Sequence, residues 1–181
     1  MIMNSIVIFC GSSDGLNNDY AKEAFSIGKK IAKSKIKLIY GGAKIGIMGQ
    51  VASGVLANGG TVIGVIPEFL KKKEIVHSNL NQLIITQNMH ERKQKMHELS
   101  DGIIMLPGGY GTLEEFFEML TWAQLGLHKN PIAILNTNGF YDNLLKMLEH
   151  MVSQGFVKQI DYDMILVSEC IDTLLKKMKN H

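Results

Sequence analysis

Short apolar runs alternating with helix-forming stretches constrain this chain more tightly than any other feature. The runs Ser5–Phe9, Lys37–Tyr40, 61–66, 83–86, 102–106 and 131–135 read as strands, with 164–167 as a weaker seventh. Helical spacing fills the intervals, at residues 19–34, 48–58, 89–99, 112–125, 140–154 and 170–179. The Ile/Val/Leu runs are continuous rather than alternating, which marks strands covered on both faces. Repeated β-α units demand a parallel sheet with right-handed crossovers. The expected fold is α/β: a doubly wound, mostly parallel sheet with helices on both faces, Rossmann-like in its layering. No linker, low-complexity tract or internal repeat breaks the pattern, so residues 1–181 are expected to form a single domain.

In such sheets ligands bind beyond the carboxyl ends of the strands. Four segments fall on that rim: Cys10-Gly-Ser-Ser13, residues 41–49, the chain from Pro67 onward, and residues 107–112. The last is the most specific, because Pro107-Gly-Gly-Tyr-Gly-Thr112 runs directly into a helix-forming stretch. Glycines let the backbone approach a ligand closely, and the first turn of a helix presents unpaired N–H groups with a partial positive charge. That combination suits a phosphate. The glycines fit neither G-x-G-x-x-G nor a P-loop, since Glu114 falls where the third glycine belongs and no Gly-Lys-Ser/Thr follows.

Glu114, Glu115 and Glu118 crowd the first two turns of that helix. A carboxylate beside a phosphate does not help binding, which points to chemistry for at least one of them. A structural reading of Glu115 competes: Thr112 and Glu115 match a T-x-x-E capping box that closes the helix start.

A second helix carries two cations on its inward side. Asn88 is the expected N-cap, with Glu91 completing the cap. Met89, Met96 and Leu99 form a stripe facing the protein, and Arg92 and Lys93 lie on or beside it. Inward cations are costly unless they meet a carboxylate or an anionic ligand. The alternative is that both side chains snorkel to solvent.

Composition narrows the function classes. A net charge of +2 gives no electrostatic case for binding nucleic acid or membranes. The N-terminus lacks a basic region before its first strand and no apolar run reaches transmembrane length, so neither a signal peptide nor a span is expected. Cys10 and Cys170 lie far apart without metal-type spacing, consistent with a reduced, cytoplasmic setting. Cys10, at a strand end with no paired histidine evident, reads as buried packing rather than a nucleophile. Met48, Met89, Met119 and Trp122 could line a pocket, although each also reads as an ordinary core residue.

Met89-His-Glu-Arg-Lys93, Leu106-Pro-Gly-Gly-Tyr-Gly-Thr-Leu-Glu-Glu115 and Thr121-Trp-Ala-Gln-Leu-Gly126 together resemble the LOG ("lonely guy") family, whose bacterial members are often labelled lysine decarboxylases. The likeness spans nearly the whole chain, including Cys10–Ser13, Gly64-Val-Ile-Pro67 and Asn136-Thr-Asn-Gly-Phe-Tyr141. One departure is Ala43, where the family commonly has glycine. The resemblance implies a cytokinin riboside 5′-monophosphate phosphoribohydrolase, cleaving the N-glycosidic bond of an AMP-like nucleotide to a free base and ribose 5-phosphate. It implies Arg92 and Glu115 as the catalytic pair. It also implies substrate contacts from Glu74, Arg92, Lys93, Gly109, Tyr110, Gly111, Thr112, Leu113, Glu114, Glu115 and Thr121. No metal or organic cofactor is implied, and the implied assembly is a homodimer.

The reaction class agrees with these residue types. Breaking a C1′–N9 bond builds positive charge on the ribose, which a carboxylate can stabilise. Pyridoxal-phosphate decarboxylation would need a Schiff-base lysine with supporting contacts, and none is readable. A non-catalytic nucleotide or molybdenum-cofactor carrier is the main alternative; it has no evident need of a carboxylate beside the phosphate. A DNA-processing module is disfavoured by the charge balance and the expected lack of a further domain.

Overall fold

The computed structural model describes residues 3–71 and 76–181. Seven strands form one sheet: β1 (Ser5–Phe9), β2 (Lys37–Tyr40), β3 (Val62–Pro67), β4 (Gln82–Thr86), β5 (Ile103–Met105), β6 (Ile132–Leu135) and β7 (Ile165–Ser168). Their order is β4-β3-β2-β1-β5-β6-β7, and every neighbouring pair is parallel. Among the described residues eight α-helices accompany them: α1 (Asn18–Lys33), α2 (Gly46–Leu56), α3 (Glu68–Lys71), α4 (Met89–Glu98), α5 (Tyr110–Gln124), α6 (Asp142–Ser153), α7 (Gln159–Tyr162) and α8 (Ile171–Lys179). The expected doubly wound α/β architecture is the one observed.

The period of two along a strand builds two cores from one sequence run. In β1, Ile6 and Ile8 pack with residues of α1, α2 and α8, while Val7 and Phe9 pack with residues of α4, α5 and α6. All four side chains are buried. Burial of each contributes about 1.5–3 kcal/mol, so both helical layers are anchored to the same central strand.

From β1 the chain winds outward through β2, β3 and β4, then returns to β1's other side and winds through β5, β6 and β7. The reversal between β1 and β5 opens a crevice at their carboxyl ends. The walls are tied together there: Leu106 N–H donates to the Phe9 carbonyl, and Gly11 N–H to the Pro107 carbonyl at 3.0 Å. A side chain at Gly108 would run into Thr112 Oγ1 and the Gly11 nitrogen, so glycine is required at that crossing.

Boundaries differ from expectation in two informative places. Helix α5 begins at Tyr110 with Gly109 as N-cap, not at Thr112. Thr112 is therefore inside the first turn and buried, and the Thr112–Glu115 capping box does not form. Helix α2 begins at Gly46 rather than Met48, because the β1–α1 loop supplies acceptors for its first turn: Ile47 N–H donates to Ser13 O and Met48 N–H to Gly11 O. Helices α3 and α7 were not expected, since four residues are too few to show a period.

Among the described residues no helix is long and apolar enough to cross a membrane. Gly42, not Ala43, takes the positive φ in the turn after β2 (+87°), so alanine at 43 carries no backbone strain.

Candidate active site

Helix α4 is placed by its cap and its burial. Asn88 Oδ1 accepts from Glu91 N–H at 2.9 Å, and Glu91 Oε2 accepts from Gln87 N–H at 2.7 Å. The expected N-cap is present, with Glu91 reaching one residue beyond it. Met96, Arg92 and Lys93 all face inward and are buried. Neither cation snorkels.

Arg92 is held by backbone. Its Nε donates to Val65 O at 3.1 Å, within β3, and its Nη2 to Gly41 O at 3.4 Å, just past the end of β2. A side chain at Gly41 would collide with that guanidinium, so the glycine after β2 makes room for Arg92. The remaining face of the fork looks toward Glu115, with Nη1 3.7 Å from Oε1. Glu115 lies in the second turn of α5 and is buried. Burial pushes its carboxyl up to about 7, with Glu114 and Glu118 adding to the rise while Arg92 and Lys93 oppose it.

Lys93 turns to the other two acids. Its Nζ donates to Glu114 Oε1, and Glu118 Oε2 lies 3.0 Å away, an ion pair without hydrogen-bond alignment. Burial works against the lysine's charge, but these two carboxylates outweigh it and hold its pKa above the usual value.

A cleft of about 420 Å³ opens over this cluster. Its lining includes Gly109, Tyr110, Gly111, Thr112, Glu114, Glu115 and Arg92 from the expected set. Lys93 sits beneath it, paired with Glu114, while half-buried Leu113 packs into the core behind α5. Glu74 lies outside the described residues. Thr121 is not at the cleft: it is exposed, its hydroxyl donates to Phe117 O at 2.7 Å, and at 1.5 Å per residue it stands roughly 16 Å along α5 from Tyr110. Met48 and Met89 line the cleft, whereas Met119 is core and Trp122 packs against His97. Gly11, Ser12, Gly41 and Leu70 also line it without having been singled out as substrate contacts; the first three were visible only as residues just past strand ends.

The cleft is lined by the open first turn of α5. The starts of α1 and α4 are filled by Asn17 and Asn88, and that of α2 by loop carbonyls. At α5 the first loop or cap bond is Leu113 N–H to Gly109 O, and among the described residues the N–H groups of Tyr110, Gly111 and Thr112 have no acceptor. A side chain at Gly109 or Gly111 would meet nothing within 4 Å. Empty space and free donors coincide.

Cys10 also lines the cleft, but complete burial pushes its thiol far up, with Glu115's charge adding to the rise. A thiol shifted that way is a poor nucleophile.

Comparison with known proteins follows the same lines. Residues 48–178 match a family model described as possible lysine decarboxylase. The chain is 43% identical to the cytokinin riboside 5′-monophosphate phosphoribohydrolase of Rhodococcoides fascians, over 97% of this chain and 89% of that one. It is 39% identical to the phosphoribohydrolase LOG3 of Arabidopsis thaliana, over 97% and 82%. Among solved structures, the molybdenum cofactor binding protein of Rippkaea orientalis superposes with a TM-score of 0.74 at 22% identity, covering 99% of this chain and 98% of that one. DNA processing protein A of Helicobacter pylori gives 0.63 at 12%, covering 98% and 81%. At these identities the two structures share the fold alone. The chain belongs to the LOG family, the family whose members carry both the phosphoribohydrolase name and the lysine decarboxylase description.

Proposed function

We propose that this protein hydrolyses the N-glycosidic bond of an adenosine 5′-monophosphate-type nucleotide, plain or N6-prenylated, releasing the free base and ribose 5-phosphate. The observation that carries this reading is the buried Arg92–Glu115 pair facing a nucleotide-sized cleft that is also lined by the open first turn of α5.

In this reading the 5′-phosphate sits on the N–H groups of Tyr110, Gly111 and Thr112. That anchor fixes the ribose, so binding energy remote from the bond serves the reaction. Glu115 faces the sugar. As the C1′–N9 bond breaks, its carboxylate stabilises the positive charge that develops on the ring. A carboxyl titrating near 7 is also matched to accept a proton from the attacking water. The hydroxyl goes to C1′ and the proton returns to the departing base. Arg92, locked by two carbonyls, supplies fixed positive charge that keeps Glu115 oriented and meets the nucleotide in the ground state. Lys93, Glu114 and Glu74 complete the substrate-binding set, the last taken from the family motif alone, while the side chain of Leu113 is turned into the core and leaves it.

The catalytic unit is the single domain, working as a homodimer. Exposed Leu125, Leu127, Phe156 and Ile160 supply apolar surface for a second copy. Thr121, held away from the cleft of its own chain, enters the reading only through such a partner. The carrier reading has the shared fold behind it and no feature of the cleft.

The test is purified protein with AMP or isopentenyl-AMP, followed by chromatography of the released base. Adenine or prenyladenine should appear, and adenosine under equal conditions should turn over at least about a hundredfold more slowly for want of the anchor. Nucleotide binding without release would favour a carrier. Adenosine cleaved as fast as AMP would remove the phosphate from the mechanism.

A further inference from the structure

Helix α5 carries a third acid that the proposed reaction does not use. Glu118 lies one turn beyond Glu115 and one turn beyond Glu114, on the side facing α4. Its Oε2 is buried, 3.0 Å from Lys93 Nζ, and makes no other polar contact among the described residues. Lys93 thus has two carboxylates, Glu114 and Glu118, whereas Glu115 has one ion-pair partner, Arg92, at the longer distance of 3.7 Å. Five charged groups on two helices are sorted into two separate sets.

We propose that Glu118 is a positioning residue that keeps Lys93 off Glu115. An ammonium is a compact point charge on a flexible stem and pairs with whichever carboxylates lie in reach. With Glu118 neutral, the second acid available to Lys93 is Glu115, next to Glu114 on the same helix. A direct Lys93–Glu115 pair would hold the reacting carboxylate ionised, weaken it as a proton acceptor and screen its charge from the ribose. The groups facing Glu115 are Arg92 and Lys93 from α4, Glu114 and Glu118 from α5, and the buried, neutral Cys10 at the end of β1. Of these, Glu118 and Glu114 oppose ionisation of Glu115, and the two cations favour it. Removing the charge of Glu118 therefore acts twice in the same direction, through lost repulsion and through a released lysine.

The inference rests on the reading of Glu115 as the reacting carboxylate, and the experiment separates the two. The side-chain carboxyl carbons of 13C-labelled glutamate are titrated by NMR in the wild type and in Glu118→Gln, with Glu115 assigned from the signal missing in Glu115→Gln. In Glu118→Gln the Glu115 midpoint should move to lower pH, and Glu118→Asp, which keeps the charge, should return it toward the wild-type value. With AMP as substrate, kcat of Glu118→Gln should fall roughly tenfold and the acid limb of its pH profile should shift down by the same amount as the midpoint. A midpoint that stays in place or rises, or Gln and Asp variants that both merely melt earlier, would make Glu118 an ordinary helix brace and overturn the proposal. A wild type that releases no base would overturn the function while leaving the carboxyl titration to decide the role of Glu118.

Discussion

The two glycine-rich turns at the carboxyl edge of the sheet, residues 41–46 after β2 and 107–109 after β5, use glycine for opposite ends. After β2 the protein itself fills the space beside Gly41, Gly46 and Gly49. Arg92 occupies the room beside Gly41, the β1–α1 loop takes the first N–H groups of α2, and a side chain at Gly49 would strike the Lys44 carbonyl. After β5 only Gly108 is used in that way. Gly109 and Gly111 are surrounded by open space, have no positive φ to demand glycine, and lie beside free N–H groups. A glycine that its own protein crowds is structural, and one that its own protein leaves empty is reserved for something else. The acids reinforce the distinction, since the first turn of α2 contains none while α5 brings Glu115 into the cleft.

The largest expected effect falls on that carboxylate. Glu115→Gln should lower kcat by about 10³-fold with little change in nucleotide affinity, because the interaction is made mainly in the transition state. It should also stabilise the empty protein at alkaline pH. A buried acid raised from its ordinary 4.5 to about 7 favours the folded state below 4.5, and that contribution is lost as pH climbs toward 7. Glutamine mimics the protonated form. Melts of the two proteins should therefore coincide near pH 4 and diverge above pH 7 by about 3 kcal/mol in favour of the variant. A variant with wild-type kcat and only a changed melt would reduce Glu115 to packing.

The turns can be set against each other directly. Gly49→Ala should destabilise by about 3 kcal/mol, since the new methyl meets backbone that cannot yield. Gly111→Ala should instead stabilise by about 0.5–1 kcal/mol, as alanine favours a helical position and stiffens the unfolded chain. Its cost should appear in function, as a KM for AMP raised at least about tenfold by a methyl standing where the phosphate approaches. Thermal melts alongside steady-state kinetics check both. Gly111→Ala with unchanged KM would mean that the open space is not the phosphate site.

Much of this difference is legible in the sequence, and the remainder has physical reasons to be hidden. The continuous apolar runs placed all seven strands to within two residues, because burial on both faces leaves a strong signature. The inward stripe on α4 placed Arg92 and Lys93 correctly. The start of α5 was misplaced by two residues, since Gly109 caps through backbone conformation and offers no capping side chain to read. The pairing of Lys93 with Glu114 and Glu118 joins residues more than twenty apart, and periodicity says nothing about such contacts. Thr121 shares a helix with the site but not its end, a distinction that a motif cannot express.

The smallest effect tests the quiet side of the comparison. Ala43 stands in the turn after β2, at the position where the resemblance leads one to expect glycine, and it is buried without positive φ. Its backbone pairs with Val76, while the neighbouring Gly42 absorbs the left-handed conformation and its carbonyl accepts from His77 N–H at 3.0 Å. Glycine at 43 would therefore relieve no strain. It would remove one buried methyl and add freedom to the unfolded chain, both of which lower stability, together by about 1 kcal/mol. Kinetics with AMP should not change, because the site-facing atoms of this turn belong to Gly41 through its contact with Arg92. Ala43→Gly melting higher than the wild type would show hidden strain at 43. A changed KM with an unchanged melt would show that the turn after β2 also touches the ligand, and the contrast between the two turns would fail.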